Sequence, residues 1–367
     1  MNTNLYKSFI YILLLILLPC FQGFASENKE NSKFNPGNLI IEHITDAHEW
    51  HITKIGNLDI SIPLPVILFD EGKPVIFMSS KFHHGTQSHM GYIIAEEGKN
   101  KGKIVKVKSD GVTIDEEAAI PLDFSITKNV LSIFIMVIIL LLLFISVANK
   151  YRKNPSKAPT GFQSMIEPLI LFVRDDIAKS CIGPKSEKFT PYLLTLFFFI
   201  FFMNIFGLIP IFPGGANVTG NITITLSLAL ITFIITTFVA KKHYWVDIVN
   251  TAGVPWWLKI PLPLMPIVEL IGVITKPFVL MIRLFANMMA GHIISLGFFC
   301  LIFIFGAINM YIGYGVSVVS ICFTIFLTLL ELLVCFIQAY VFTMLSALYF
   351  GMAIAEHHKE STESVTH

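Results

Sequence analysis

The run from Val130 to Ala148 is 19 residues long and carries no charge. A helix rises 1.5 Å per residue, so about 20 such residues cross the ~30 Å hydrocarbon layer of a bilayer. Stretches of this kind recur along the chain. Pro191 to Phe212 is apolar but for Thr195 and Asn204, and Ile222 to Ala240 is uncharged and rich in Thr. Two longer stretches, about Leu264 to Phe305 and about Val316 to Ala355, are apolar yet hold ionisable residues. Only 14% of the 367 residues are charged, against about 25% in a soluble domain. An ordinary water-soluble enzyme is thereby excluded. The reading is an all-α polytopic membrane protein with five spans. A net charge of +1 offers no basic field for a nucleic-acid partner.

What precedes the first span differs in kind. Lys7, the apolar run Phe9 to Leu18 and the tripeptide Gly23-Phe24-Ala25 describe a secretory signal peptide, 1–25, cut after Ala25. Cys20 raises a lipoprotein alternative, but Pro19 stands where a small residue is wanted; an uncleaved anchor would export the same residues. Residues 26–128 hold 11 Lys+Arg and 15 Asp+Glu, with β-type runs at Leu58–Ile62 and Lys103–Val107. Turn signals sit at Asp70-Glu71-Gly72-Lys73-Pro74 and Glu97-Gly98-Lys99-Asn100. This predicts a small β-rich or partly ordered exported domain, without a disulfide because it has no Cys. His43, His48, His51, His83, His84 and His89 fall here. The spacing of His48 and His51 suits a metal, but solvated surface histidines are commoner and no strict motif is met, so no metal site is expected. No cofactor is expected either, and no P-loop GxxxxGK[ST] occurs in the chain.

Cytoplasmic loops collect Lys and Arg. The link after the first span carries Lys150, Arg152, Lys153, Lys157, Arg174, Lys179, Lys185 and Lys188, and the link after the third carries Lys241, Lys242 and Lys259. The turn between spans two and three and the turn at Gly306–Gly315 carry neither residue. The bias puts the basic links and the C-terminal tail in the cytoplasm and the exported domain opposite.

A charge at membrane depth costs several kcal/mol, from about 3 on insertion scales upward, so such residues are functional candidates. The fourth span carries Glu269, Lys276, Arg283 and His292, and the fifth carries Glu331. Glu269, Lys276 and Arg283 recur every seven residues and share one helix face. Glu269 and Lys276 are near the cytoplasmic end, where long side chains snorkel; Arg283 is deeper. Pro277 predicts a bend or break. If the last two spans fold as an antiparallel hairpin turning near Tyr311, Arg283 comes level with Gln338 and His292 with Glu331. Glu331 and Gln338 share a face, whereas His292 starts on the side of its helix opposite Arg283. Two readings stay open: a structural polar clamp between helices, or a proton path. In the second, His292 and Glu331 hand protons inward, and Arg283, which cannot lose its proton, acts as a fixed charge.

The run Lys276-Pro277-Phe278-Val279-Leu280-Met281-Ile282-Arg283-Leu284-Phe285-Ala286-Asn287-Met288-Met289-Ala290-Gly291-His292 resembles the pattern K-P-x5-R-L-F-x-N-x-x-A-G-[EH] of subunit a of the F-type ATP synthase. The similarity covers roughly Val130 to Glu356 and is strongest from Glu269 to Tyr349. The resemblance implies that Arg283 faces the ring of c subunits, with Asn287 on nearly the same face. It also implies that Glu269 lines a cytoplasmic half-channel and that Gln338 packs at the level of the Arg. His292 and Glu331 match one of two arrangements in which family members place one acid and one base. Met203-Asn204-Ile205-Phe206-Gly207-Leu208-Ile209-Pro210 fits the second spanning helix, with Gly207 where some members have Asp. The last two helices are then a long tilted hairpin facing the c-ring, and Ser164 to Ile177 lies along the membrane surface. The implied domains are 1–25 signal peptide, 26–128 periplasmic domain, 129–356 membrane subunit a domain and 357–367 cytoplasmic tail. The implied protein is no enzyme by itself but a proton-translocating stator subunit of the cell inner membrane. Its implied partners are the c-ring, subunit b of the peripheral stalk, the rest of the F1Fo complex and the lipid bilayer.

Two rivals use the same residues. A secondary ion transporter is expected to show internal repeats, and none is visible; a receptor or structural membrane protein would leave the work to the exported domain. Asn217-Val218-Thr219 and Asn221-Ile222-Thr223 match the glycosylation pattern but lie too close to a span to be read that way.

Overall fold

The computed structural model describes residues 36–55, 58–83, 85–95, 100–108, 113–115, 117–153, 158–209, 214–249 and 264–355. The expected leader and its cut after Ala25, and the tail from 357, lie outside them. The chain separates into two compact units: one holds Asp46–Leu131, the other Leu39–Thr45 and the residues from Ser132 onward. Helix α1 (Pro36–Ile44) precedes the first.

The first unit is β-rich, as its short alternating runs predict. Strands β1 (Glu49–Ile55) and β2 (Leu58–Pro63) form a hairpin with an irregularity between His51 and Thr53. Strands β3 (Pro65–Asp70), β4 (Lys73–Met78) and β7 (Leu122–Asp123) form an antiparallel sheet in the order β4-β3-β7. Strands β5 (Tyr92–Ile94) and β6 (Ile104–Lys106) form a second hairpin. The β3–β4 turn has Glu71 at φ 48° and Gly72 at φ 79°. Two consecutive positive φ angles give the turn whose twist matches that of paired strands, and Gly tolerates the second without strain. Val66, Leu68, Phe82, Tyr92 and Ile104 are buried together, with Val75, Phe77 and Ile94 against them.

A polar clamp joins the β3–β4 turn to the β5–β6 hairpin. The Tyr92 hydroxyl donates to Asp70 Oδ2 at 2.7 Å, and Lys106 Nζ reaches Asp70 Oδ2 at 2.8 Å and Glu71 Oε1 at 3.2 Å. Lys106 and Tyr92 together hold the Asp70 carboxyl below the usual carboxylate range. Burial, and then the Asp70 carboxylate, pushes the Tyr92 phenol up to about 12. His48, buried, places Nε2 2.9 Å from Asp123 Oδ2, and the His89 ring meets Phe77 edge-on. Among the described residues no three His, Cys, Asp or Glu gather as a metal would need.

The second unit is helical, with five helices long and apolar enough to cross a membrane. These are α2 (Lys128–Lys153), α4 (Thr190–Leu208), α5 (Ile222–Val239), α7 (Leu264–Ile308) and α8 (Met310–Ile354). Helix α3 (Phe162–Leu171) continues as a π-helical turn, Phe172–Lys179, then a short α-turn, Ser180–Ile182, and a 3-10 turn, Gly183–Lys188. The π-turn is sealed from outside by Arg174 and Lys179, which both pair with Asp175. Helix α6 (Lys242–Val249) is short.

Apolar packing is dense where α8 meets α4 and α7. Leu193, Phe197 and Ile200 pack with Leu280, Leu284, Met288, Cys335, Ala339 and Phe342. Helix α5 shows what its threonines do. Thr225, Thr232 and Thr236 are buried, and their hydroxyls bond back to carbonyls one turn earlier, at 2.7 Å for Thr236 to Thr232. A Thr can thus be turned inward without an unpaired hydroxyl. Tyr192 Oη lies 2.8 Å from Thr232 Oγ1, tying α4 to α5.

Two expectations about the last helices are corrected. Pro277 does not break its helix, which runs unbroken through it for 45 residues. Neighbouring helices re-satisfy backbone groups that a proline frees in such a span. Nor is Gly306–Gly315 an open turn: only Asn309 leaves the helical path, capping α8 through Oδ1 to the Tyr311 amide at 2.9 Å. The helices meet too closely there for anything but glycine, since a Cβ on Gly313 would stand 2.7 Å from Gly306 Cα. Each helix is then about 68 Å long, twice the hydrocarbon thickness, so each must tilt or project beyond the hydrocarbon layer.

The clamp in the first unit makes a pH prediction. Tyr92 titrates near 10 unfolded and near about 12 folded, so its contribution is intact below pH ~10 and is lost as pH rises through 12. Asp70 contributes in the opposite sense, present at neutral pH and lost as pH falls below its unfolded value of ~3.9. In a tyrosinate absorbance titration, subtracting the Tyr92→Phe protein from the parent should leave one component with a midpoint near 12. A difference component near 10 would show that the phenol is not held by Asp70.

Candidate functional site

Helices α7 and α8 bring the expected acid and base together. His292 Nδ1 lies 3.1 Å from Glu331 Oε1, and their side chains are 15% and 7% exposed. The contact is close without being aligned as a hydrogen bond, because Glu331 Oε1 has no donor in line. Ser295, one turn beyond His292, is within reach of the same carboxyl. Room for the carboxyl comes from Gly291: a Cβ there would fall 2.7 Å from Glu331 Oε1. An imidazole and a carboxyl at this distance can pass a proton after a small rotation of either.

The polar surroundings extend toward α4 and the loop after it. A Cβ on Gly207 would stand 3.7 Å from His292 Nε2 and 3.2 Å from the Ala216 carbonyl. Asn204, one turn before Gly207, is buried and accepts the Thr219 hydroxyl at 2.5 Å. Asn217 Oδ1 accepts the Gly220 amide at 2.9 Å, and Asn221 caps α5 through the Thr223 amide. Neither Asn therefore stands out as a modification site. Asn204 Nδ2, Asn217 Nδ2, Glu331 Oε1 and Gln338 Nε2 are all buried without a hydrogen-bond partner, as are Ser132 Oγ, Glu167 Oε2 and Thr343 Oγ1 elsewhere in the unit. Buried polar atoms of this kind are ordinarily satisfied by water.

Arg283 is presented differently. Helix α7 turns Leu280, Leu284 and Met288 inward, leaving Arg283, Ala286, Asn287 and Ala290 exposed on another face. No acidic group pairs with Arg283 among the described residues. His292, nine residues on, faces Glu331 instead, as its 100° helical steps require. Gln338 Oε1 accepts Asn287 Nδ2 at 2.8 Å, one turn along α7 from Arg283. Glu331 and Gln338 do share the buried face of α8. Two turns before Arg283, Lys276 Nζ stands 5.7 Å from the Tyr244 ring centroid and 5.4 Å from that of Tyr349. Glu269, two turns before it, is half-buried.

Comparison with known proteins bears on this arrangement. The family model described as ATP synthase A chain matches residues 130–351, which include every one of these residues. The chain belongs to the ATP synthase A chain family. It is 43% identical over 254 residues to the ATP synthase subunit a of Chlorobium phaeobacteroides (strain DSM 266), covering 67% of this chain and 70% of that one. It is 46% identical over 250 residues to ATP synthase subunit a 2 of Chlorobium luteolum, covering 67% and 70%. Against the ATP synthase subunit a of Anaeromyxobacter sp. it is 37% identical over 274 residues, covering 70% and 62%. Residues 39–124 match a second model, described as a domain of unknown function (DUF8433).

Within the family framework, the residues that sequence reading underrated are Gly207, Gly291 and Asn217. Gly207 was noted as a missing acid, yet its small size relieves a tight approach to the Ala216 carbonyl beside His292. Asn217 was read only as a modification pattern. A glycine's neighbours cannot be inferred from spacing, because they come from helices distant in sequence.

The crowding at Gly291 is testable. Gly291→Ala should lower stability by about 1–3 kcal/mol, as overpacking does, seen as a lower inactivation temperature of the assembled complex. Gly297→Ala is the control, because a Cβ there meets nothing within 4 Å. Equal effects from the two changes would remove the close Gly291–Glu331 approach.

Proposed function

We propose that this chain is the proton-translocating stator subunit of an ATP synthase Fo sector, coupling proton flow to rotation of a c-ring through two offset half-channels. The observation that carries the reading is the exposed Arg283 on an apolar helix face, with no acidic partner among the described residues. A guanidinium at membrane depth is costly unless something anionic meets it, and a carboxylate on a passing c subunit is such a group.

In this reading a proton enters from the exported side along the seam of Asn204, Asn217 and the Gly207 gap. It passes His292 and Glu331, with Asn287 and Gln338 nearby, and neutralises a c-subunit carboxylate. The neutral carboxyl can travel through lipid, since removing its charge removes most of its desolvation cost. It ionises again into a cytoplasmic channel near Glu269. Arg283 holds the ionised form between the two channels and blocks direct leakage. Each charge moved is worth about 2.3 kcal/mol per 100 mV, so several steps accumulate per ATP.

The same reading gives the chain its place. It is a multi-pass protein of the cell inner membrane, with leader 1–25, periplasmic domain 26–128, membrane domain 129–356 and cytoplasmic tail 357–367. The c-ring, subunit b and the remaining F1Fo subunits are its partners.

Arg283→Ala in the assembled complex should abolish both ATP-driven proton pumping and proton-driven ATP synthesis. Arg283→Lys should retain only a small fraction, because it keeps the charge without the planar fork. Survival of both activities in Arg283→Ala would overturn the reading. For the relay, His292→Glu and Glu331→His should each cut coupled synthesis about tenfold or more, the scale of losing a positioned acid–base group. The double exchange should recover part of it. Equal activity in the single and double exchanges would leave the pair a structural clamp.

A further inference from the structure

Strands β3 and β4 are apolar on both faces. Val66 and Leu68 of β3 point into the core of the first unit, with Val75 and Phe77 of β4 beside them. The other face carries Pro65, Ile67 and Phe69, paired across the ladder with Met78, Ile76 and Pro74. Strand β7 adds Leu122 opposite Phe69. Phe124, whose amide donates to the Ile67 carbonyl at 2.9 Å, extends the row, its ring edge-on to Phe69 at 6.4 Å. Ile76, Leu122 and Phe124 are 67%, 65% and 64% exposed, and Phe69 and Met78 are exposed too. None of these outer-face positions holds a charge. An antiparallel sheet with one solvated face ordinarily alternates apolar with polar residues. A contiguous apolar face of this kind marks a contact with a protein or a membrane.

The occupant is indicated by what lies next to the face along the chain. Phe124 is four residues before Lys128, where α2 begins, so at most ~14 Å of chain separates them. That stretch is tied down within the first unit. Asp46 accepts the Thr127 hydroxyl at 2.7 Å and the Asn129 amide at 3.1 Å. The Lys128 amide donates to the Ala47 carbonyl at 2.9 Å and the Ile126 amide to the Pro65 carbonyl at 3.1 Å. The first turn of α2 therefore belongs to the same unit as the sheet whose outer face is apolar. Along the chain, a helix of membrane length is thus the nearest neighbour of that face. A specific protein interface would ask for about one hydrogen-bonding group per 100–200 Å², and this face offers side chains with none.

We propose that the outer face of the β4-β3-β7 sheet is a membrane-docking surface, seating Phe69, Ile76, Leu122 and Phe124 in the exported-side leaflet of phospholipid that α2 crosses. The docked face holds the exported unit down on the membrane. The proposal rests on α2 being a span and not on the proton path, so loss or survival of ATP synthesis does not decide it.

The test reconstitutes the assembled complex, with full-length chain, in phosphatidylcholine–phosphatidylglycerol vesicles carrying brominated acyl chains. Ile76→Trp and Leu122→Trp each add an indole on the face; Lys101→Trp adds one on an exposed turn elsewhere in the unit. Emission of the unsubstituted complex is subtracted. The two face variants should lose about half or more of their added emission to bromine, the depth of an interfacial side chain, and resist aqueous iodide. Lys101→Trp should show the reverse. Quenching of the face variants by iodide alone would put the face in water. Resistance to both quenchers would mean that another protein covers it. Either result overturns the proposal.

Discussion

A polar group inside the hydrocarbon has no water to turn to, and the membrane unit is built around that constraint. Where a polar side chain serves packing, it is closed on itself: the threonines of α5 bond back to their own helix, and Tyr192 is joined to Thr232. Where Asn287 and Gln338 meet, one amide answers the other. The buried atoms left without a hydrogen-bond partner in this unit lie on Ser132, Glu167 and Thr343 as well as on Asn204, Asn217, Glu331 and Gln338, and Glu331 among them is the residue that meets His292.

Helix α7 separates two kinds of environment by rotation alone. Its 100° step puts Leu280, Leu284 and Met288 against the core, Arg283 and Asn287 on an open face, and His292 toward α4 and α8. His292 and the permanent cation are thus carried on one element yet look in different directions. Where that element meets Glu331 of α8, Gly291 leaves the room that the carboxyl fills.

Much of this was legible in the residues. Uncharged runs of membrane length gave the five helices, because burial in lipid demands apolarity over a whole span. The ionisable residues stood out because the same demand makes them rare, and the run from Lys276 to His292 was long enough to identify the family. The pairing of His292 with Glu331 followed from simple hairpin register. The details that escaped are those set by contact between distant segments. Pro277 looked like a bend or break because proline lacks an amide, yet α7 continues as helix through it. Gly306–Gly315 looked like a loop because glycine is common in loops, yet here glycine serves close packing. In the first unit, β-type runs and the Asp70–Pro74 turn were readable. Strands β3 and β4 were not marked, since a strand apolar on both faces has no alternation to detect.

The single-residue turn at Asn309 has a further consequence. Two helices of 45 residues each are joined with no slack, and Gly306 and Gly313 touch directly beneath the joint. Any residue added there must either slide one helix along the other by 1.5 Å or rotate it by 100°. His292 and Glu331 sit about four and five turns away from those glycines. The least polar residues of the hairpin therefore set the phase of the most polar ones, and the length of the turn is under the same constraint as the ionisable side chains themselves.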